Sequence, residues 1–232
     1  MKKNIVITGI SSGIGLDLAS ELLKDSTIIG LSRKRPKINN PNFTFIKTDL
    51  SEKYSISKAV KKIKKIDVLI NNAAIAKTEI KDSYYNFDKI LKVNLYAPFF
   101  LSYLLKKKLS QSTQASIINI CSINSHLGFP NNQAYSASKG GLFILTKSMA
   151  NDLSKYKIRV NSISPGYFLT PMTQKSFHNK LKRKKRLSRM LINRWGSTED
   201  LYGIVEYLIS EKSSYVTGQD FVIDGGWLSK GL

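Results

Sequence analysis

Tyr135 and Lys139 stand four residues apart in the stretch Tyr135-Ser136-Ala137-Ser138-Lys139. If that stretch opens a helix, the two share one face. An isolated phenol is a weak acid near neutral pH, with a pKa of about 10. An ammonium a few ångströms away favours the phenolate and lowers that value. The pair could then pass a proton to or from a substrate oxygen. Taken alone, the spacing far more often marks an ordinary solvated helix face.

A second stretch offers a different chemistry. Gly9-Ile10-Ser11-Ser12-Gly13-Ile14-Gly15 lies between a short apolar run, residues 4–8, and a helical period marked by Leu18, Leu22 and Leu23. A glycine-rich turn from strand to helix suits a phosphate. Gly9 permits the tight turn, Gly13 lets a pyrophosphate approach the backbone, and Gly15 allows close packing of the helix. The helix start adds N–H donors and a partial positive charge. The end of the second strand selects the dinucleotide. An acid there would hydrogen-bond the adenosine ribose diol and repel a 2′-phosphate. The chain has Leu31-Ser32-Arg33-Lys34-Arg35 instead. Ser32 removes the repulsion and Arg33 can hold a phosphate through two donors. NADPH is therefore expected over NADH; the alternative is that residues 33–35 are only a solvated basic turn.

These stretches must be held by a frame. Short apolar runs at residues 4–8, 27–31, 43–47, 68–71, 116–121, 159–164 and 221–223 read as strands. Between them lie helical patterns at 16–24, 55–65, 85–108, 135–154 and 198–210, the last with acids in its first turn. Apolar strands alternating with helices imply a parallel sheet covered on both faces. The expectation is one α/β domain over residues 1–232, Rossmann-like and doubly wound, with seven strands.

Composition sets the outer limits. With 232 residues and 42% hydrophobic content, the chain can bury a full core. The first ten residues are too short an apolar run for a signal peptide, and no window is long and apolar enough for a bilayer. One cysteine, Cys121, excludes an internal disulfide. A cytosolic protein is expected. Lys and Arg number 37 against 16 acids, a formal charge of +21. Most are lysines at predicted helix ends and read as solvated faces, so neither a nucleic acid nor a membrane is expected as partner. His126 and His178 have no metal-ligand spacing, and no metal site is expected.

Taken together, Thr8-Gly9-(x)3-Gly13-Ile14-Gly15, Asn71-Asn72-Ala73, Asn94, Ser122, Tyr135-(x)3-Lys139, Pro165-Gly166 and Thr217-Gly218-Gln219 with Asp224-Gly225-Gly226 resemble the short-chain dehydrogenase/reductase family over nearly the whole chain. Arg194-Trp195-Gly196 and residues 214–219 look most like the 3-oxoacyl-[acyl-carrier-protein] reductases. The resemblance implies that Tyr135 is the general acid in reduction and that Lys139 lowers its pKa and holds the nicotinamide ribose. It implies that Ser122 binds the substrate carbonyl and that Asn94 supports a water chain to Lys139. Charge grows on the carbonyl oxygen as hydride arrives, and Tyr135 and Ser122 are the donors that would meet it. For the cofactor it implies Gly9, Ser11, Ser12, Gly13, Ile14 and Gly15 at the pyrophosphate, and Ser32 and Arg33 at the 2′-phosphate. Asp49 and Leu50 would flank the adenine, Asn71, Ala73 and Ala74 the adenosine-side ribose and backbone. Pro165, Gly166, Phe168 and Thr170 would stand at the nicotinamide. Ser122 and Asn94 could also be a turn cap and a satisfied polar core group.

The sequence departs from the family in three places. Ala74 replaces a common glycine, Ser12 stands where NADP-preferring relatives carry a basic residue, and Cys121 replaces a usual serine. Cys121 is expected as a small buried hydrophobe. Residues 167–194 would form the substrate lid, with Leu181, Leu187, Met190 and Leu191 on one apolar helix face. The basic cluster Arg183-Lys184-Lys185-Arg186 and Arg189 could dock an acidic carrier protein or a phosphorylated or nucleotide-linked substrate, or simply face solvent. The expected reaction is reduction of a carbonyl to a secondary alcohol. The substrate would be a 3-oxoacyl thioester on acyl-carrier protein, as in fatty acid biosynthesis, or a sugar, polyol or secondary metabolite. A catalytically silent dinucleotide-binding regulator is the reading of another class. The family also implies a homo-oligomer, dimer or tetramer, packed through helices 85–108 and 135–154, with Phe99, Phe100, Phe143 and Leu145 as contacts.

Overall fold

A computed structural model describes residues 2–76 and 83–230. Strands β1 (Lys3–Thr8), β2 (Ser26–Ser32), β3 (Phe43–Lys47), β4 (Val68–Asn71), β5 (Ser116–Ile120), β6 (Arg159–Pro165) and β7 (Asp220–Ile223) form one sheet. Its order is β3-β2-β1-β4-β5-β6-β7, and every pairing is parallel. A parallel sheet is buried on both faces, so its strands read as unbroken apolar runs. In β1, Ile5 and Ile7 point to one face and Val6 to the other, and all three are inaccessible to solvent.

Helices cover the two faces. On the Ile5 face lie α1 (Gly13–Leu22), through Leu18, Ala19 and Leu22, and a helix at Tyr202–Ile209, through Val205, Leu208 and Ile209. On the Val6 face lie α2 (Lys53–Lys62), α4 (Ala97–Leu109) and α5 (Gln133–Ser154). The helix α3 (Ser83–Leu91) leads into α4 through a π-helical turn, Lys92–Tyr96. Sequence periodicity gives one continuous helix there. Pro98 lacks the N–H that would continue the regular ladder, and the wide turn just before it aims Asn94 into the protein.

The sequence pattern places all the strands to within a residue or so. It fails most in residues 167–194. There α6 (Gln174–His178) and α7 (Lys180–Leu187) are short and carry no fully buried residue. The expected apolar face of Leu181, Leu187, Met190 and Leu191 does not form. Leu181 and Leu191 are exposed, Met190 lies beyond the end of α7 and is buried, and only Leu187 packs inward from the helix. Its seven remaining residues other than Leu181 include six charged ones, so no apolar stripe can span it. The helix at Tyr202–Ile209, α8, is preceded by a 3-10 turn, Thr198–Leu201, which a Ser197–Asp200 capping box starts. No described helix is long and apolar enough to cross a membrane.

Candidate active site

The strand order reverses between β1 and β4, so the chain leaves both strands at a crevice on their C-terminal ends, where open α/β sheets bind ligands. Thr8 and Asn72 close it. The Thr8 hydroxyl accepts from the N–H groups of Asn72 and Ala73, both at 3.0 Å. The Asn72 amide donates to the carbonyls of Thr8 and Gly9 at 2.9 and 3.3 Å. The turn therefore touches the strap after β4 so closely that side chains are excluded. A Cβ on Gly9 would lie 2.7 Å from the Ala73 Cα, and one on Gly15 2.3 Å from the Asn72 amide. Gly9 and Gly13 have φ of +73° and +58°, which glycine adopts without strain. Ser12 precedes α1 without its side chain capping the helix, which leaves the first N–H groups for a ligand. A bare turn, uncapped donors and a helix start fit the pyrophosphate of a dinucleotide. Ser11 and Ser12 are exposed beside it and Ile14 is half-buried.

The adenosine corner partly departs from expectation. Burial raises the Asp49 carboxyl, but hydrogen bonds from Ser51, with a smaller pull from the charge of exposed Arg33, outweigh it and hold the group below its ordinary value. Arg33 and Asp49 therefore share this corner. Ser32 is buried and donates to the Lys34 carbonyl at 2.6 Å, shaping the basic turn. Leu50 is in the core beneath α2, so only its backbone can meet an adenine. Asn71 also turns away: its amide donates to Asn119 at 2.8 Å inside the sheet. A buried strand position at the sheet centre puts that side chain against β5 and not the crevice. Ala73 and Ala74 present half-buried backbone beside the turn.

Tyr135, Lys139 and Ser122 come together at the ends of β5 and the start of α5. Ser122 caps the 3-10 turn Ile123–Ser125, accepting from the Asn124 N–H at 3.2 Å. That turn is tied to α5 by Asn124 to Ser136 at 3.0 Å and by Ser125 to the Lys139 carbonyl at 2.9 Å. The Ser122 hydroxyl lies beside the Tyr135 phenol and favours its charged form. Ser122 is thus a turn cap placed beside Tyr135. Lys139 is 2% exposed and gives its ammonium to the Ile120 carbonyl at 2.6 Å, 5.8 Å from the Tyr135 ring centre. Asn94 is fully buried and satisfied. It exchanges two hydrogen bonds of 2.9 Å with the Ile75 backbone and donates to Ser138 at 3.1 Å. It braces the strap after β4 against α5 next to Lys139, which matches the polar-core alternative.

Electrostatics correct one expectation. Burial pushes the Tyr135 phenol up to about 12, against the pull of the Ser122 hydroxyl. Burial brings Lys139 down to about 8. Desolvation disfavours both charged forms and is the largest cause at each group. At neutral pH the phenol keeps its proton and the lysine is largely charged. Cys121 is buried and its thiol is also pushed up to about 12 by burial, consistent with a small hydrophobe and not a nucleophile.

The chain after β6 closes the site. The Gly166 N–H donates to the Ile223 carbonyl at 2.9 Å, and a Cβ there would lie 2.7 Å from the Asp224 Cα. Pro165 is buried within β6. Phe168 is 4% exposed and lies in the α1–α8 core. Its carbonyl accepts from the Thr173 hydroxyl. Thr170 bonds Thr173 and faces the glycine turn, with its Cβ 3.6 Å from where a Gly13 Cβ would be. The sequence reasoning missed the aromatic cluster beside this loop: Phe129, Tyr167, Phe177, Trp195 and Trp227. These rings are scattered along the chain, and only Trp195 stood out, as part of the Arg194-Trp195-Gly196 motif.

A family profile described as Enoyl-(Acyl carrier protein) reductase matches residues 9–228. The chain is 34% identical to 3-oxoacyl-[acyl-carrier-protein] reductase FabG of Rickettsia felis, over 97% of each chain. It is 33% identical to 2-dehydro-3-deoxy-D-gluconate 5-dehydrogenase of Dickeya dadantii, over 98% of this chain and 96% of that one. Among solved structures it resembles 4-hydroxyisoleucine dehydrogenase complexed with NADH, with a TM-score of 0.92 and 35% identity over 99% of this chain and 100% of that one.

Proposed function

The chain belongs to the short-chain dehydrogenase/reductase family and is an oxidoreductase acting on carbonyl and alcohol groups; on that premise we propose that it reduces a ketone to a secondary alcohol with NADPH. The carrying observation is the trio of half-buried Ser122 and Tyr135 with buried Lys139, in which the phenol is protonated and the lysine charged at neutral pH.

Held at the glycine turn, a nicotinamide dinucleotide supplies the hydride. The chain's own groups do the rest. Ser122 donates to the substrate oxygen and fixes its position. Tyr135 passes its proton to that oxygen as negative charge grows there. The phenolate left behind is stabilised by the Lys139 ammonium, which the Ile120 carbonyl holds in place. The pyrophosphate would lie on Gly9, Ser11, Ser12, Gly13, Ile14 and Gly15. Arg33 would take the 2′-phosphate, with no acid at the end of β2 to repel it. Asp49, the backbones of Leu50, Ala73 and Ala74, and then Pro165, Gly166, Phe168 and Thr170 would line the remainder.

Two substrate classes have support. The R. felis relative and the exposed lysines of α7 favour a 3-oxoacyl thioester on an acidic carrier. The D. dadantii relative favours a sugar acid. A homo-oligomer through α4 and α5 is also proposed. Phe99, Tyr103 and Ile144 are exposed there. Phe100 and Phe143 are used within the chain, stacked on Tyr96 and packed edge-on against His126.

The test is NADPH oxidation with an acetoacetyl thioester and with a keto-gluconate, comparing wild type and Tyr135→Phe. Turnover should fall by about 10³-fold with NADPH affinity unchanged, and NADPH should exceed NADH in kcat/KM by about 10-fold or more through Arg33. Undiminished turnover would refute the proton donor; equal use of NADH would refute the cofactor assignment.

A further inference from the structure

Beside the catalytic serine lies a group of buried donors that the protein does not match. Ile123, directly after Ser122, packs with Met190, Trp195 and Trp227 in a small core apart from the two on the sheet. Tyr167 joins it, with ring centres 5.4 Å from Trp195 and 5.7 Å from Trp227. The Arg186 guanidinium lies 4.4 Å from the Tyr167 ring centre and 5.6 Å from that of Trp195. Arg186 Nη1, Trp195 Nε1 and Trp227 Nε1 are buried and meet no acceptor among the described residues. The two indoles are only 8% and 6% exposed.

Such groups normally find a partner, because an unmatched buried donor costs about 1–3 kcal/mol, and more when charged. Asp200 and Asp224, acids on neighbouring segments, are committed elsewhere. Asp200 takes both ends of Arg194 at 2.6 and 2.7 Å, and Asp224 accepts from the backbone of Gly226 and Leu228, both at 2.8 Å. A guanidinium laid over aromatic faces keeps its in-plane N–H groups for a planar anion. An acyl chain or neutral ketone would leave all three donors unmatched.

We propose that this cluster anchors a carboxylate of the substrate, with Arg186 as the charged contact and the indole N–H groups of Trp195 and Trp227 beside it. The preferred substrate is then a small keto or hydroxy acid. Specificity comes from the positive charge and aromatic walls of the lid. The assignment rests on the carbonyl-reductase reading for its catalytic consequence, but binding at the anchor can be measured without turnover.

The chain has two tryptophans, and both are in the cluster, so intrinsic fluorescence reports directly on it. The full-length protein is titrated with gluconate and tartrate, and with sorbitol and inorganic phosphate at matched ionic strength. The acids should give a saturable change and sorbitol and phosphate none. Arg186→Gln should weaken the acids by about 10-fold or more, and Arg186→Lys should restore part of that. Trp195→Phe keeps the ring and removes one donor, and should weaken them by a few-fold with Trp227 as reporter; melting temperature checks each variant's fold. In turnover, keto acids should exceed their methyl esters in kcat/KM by about 10-fold or more, a ratio that falls toward one in Arg186→Gln. No saturable response to either acid, a response to phosphate or sorbitol equal to theirs, or loss of acid and ester alike in a folded Arg186→Gln would overturn the anchor. Absence of any turnover with saturable acid binding intact would instead count against the reductase reading.

Discussion

The crevice at the glycine turn and residues 167–194, the expected lid, are built by opposite means. In the crevice, backbone meets backbone: Gly9 against Ala73, Gly166 against Asp224, Thr8 and Asn72 bridging β1 to the strap after β4. In the lid, side chains hold the chain down: Arg186 on Tyr167 and Arg189 on Trp227, 4.5 Å from its ring centre, while α6 and α7 bury no residue fully. Backbone contacts admit almost no substitution, because an added methyl collides. Side-chain stacking admits many, because another ring or cation can replace the first. In the proposed function, proton transfer depends on the first kind of structure and substrate choice on the second.

That contrast can be broken at either end. The largest effect is expected in the crevice. Gly15→Ala places a methyl 2.3 Å from the Asn72 amide and 2.6 Å from the Gly9 carbonyl. Either the helix start or the Asn72 strap must move. A loss of about 3 kcal/mol is expected, read as a melting temperature lower by about 6–12 °C, with dinucleotide affinity lost as well. A stable variant with normal affinity would show that the turn tolerates displacement. A much smaller effect is expected in the lid. Lys180, Lys182, Lys184 and Lys185 are exposed. Reversing all four to Glu should leave melting within about 2 °C, since single exposed charges contribute little. It should change kcat/KM for small keto acids by about 3-fold or less, since screening by salt weakens exposed charges. A large loss confined to carrier-bound substrates would instead give the lysines a docking role.

The same contrast explains what the sequence made legible. The crevice is written in local signals: glycines at a strand-to-helix turn, Tyr135 and Lys139 one helical turn apart, apolar runs for a doubly buried sheet. Gly9, Gly13 and Gly15 could be placed because only their geometry fits there. The inward turn of Asn71 and Leu50 was not visible, because a strand-end residue's facing depends on its register in the sheet. Asn94 looked mid-helical; the π-turn that aims it needs Pro98 and the Ile75 backbone together. The lid was least legible. Its helix carries Arg, Lys and Leu at spacings that fit several faces. What selects Arg186 is the pair of rings of Tyr167 and Trp195, brought together only by the fold. The raised phenol of Tyr135 has the same origin: the expected lysine effect is local, whereas the burial that raises the phenol is tertiary.

The central claim is that a protonated phenol beside a charged, buried lysine delivers the proton. The pH dependence of kcat/KM for reduction, from about pH 6 to about pH 10 with saturating NADPH, tests it most directly. With Tyr135 near 12 the donor stays protonated throughout, and with Lys139 near 8 its charge is lost as pH rises through that value. A plateau below about pH 8 and a fall above it are expected, while oxidation of the alcohol keeps rising with pH. A reduction rate that climbs through the same range would mean that the deprotonated form is the active one, and would contradict the account.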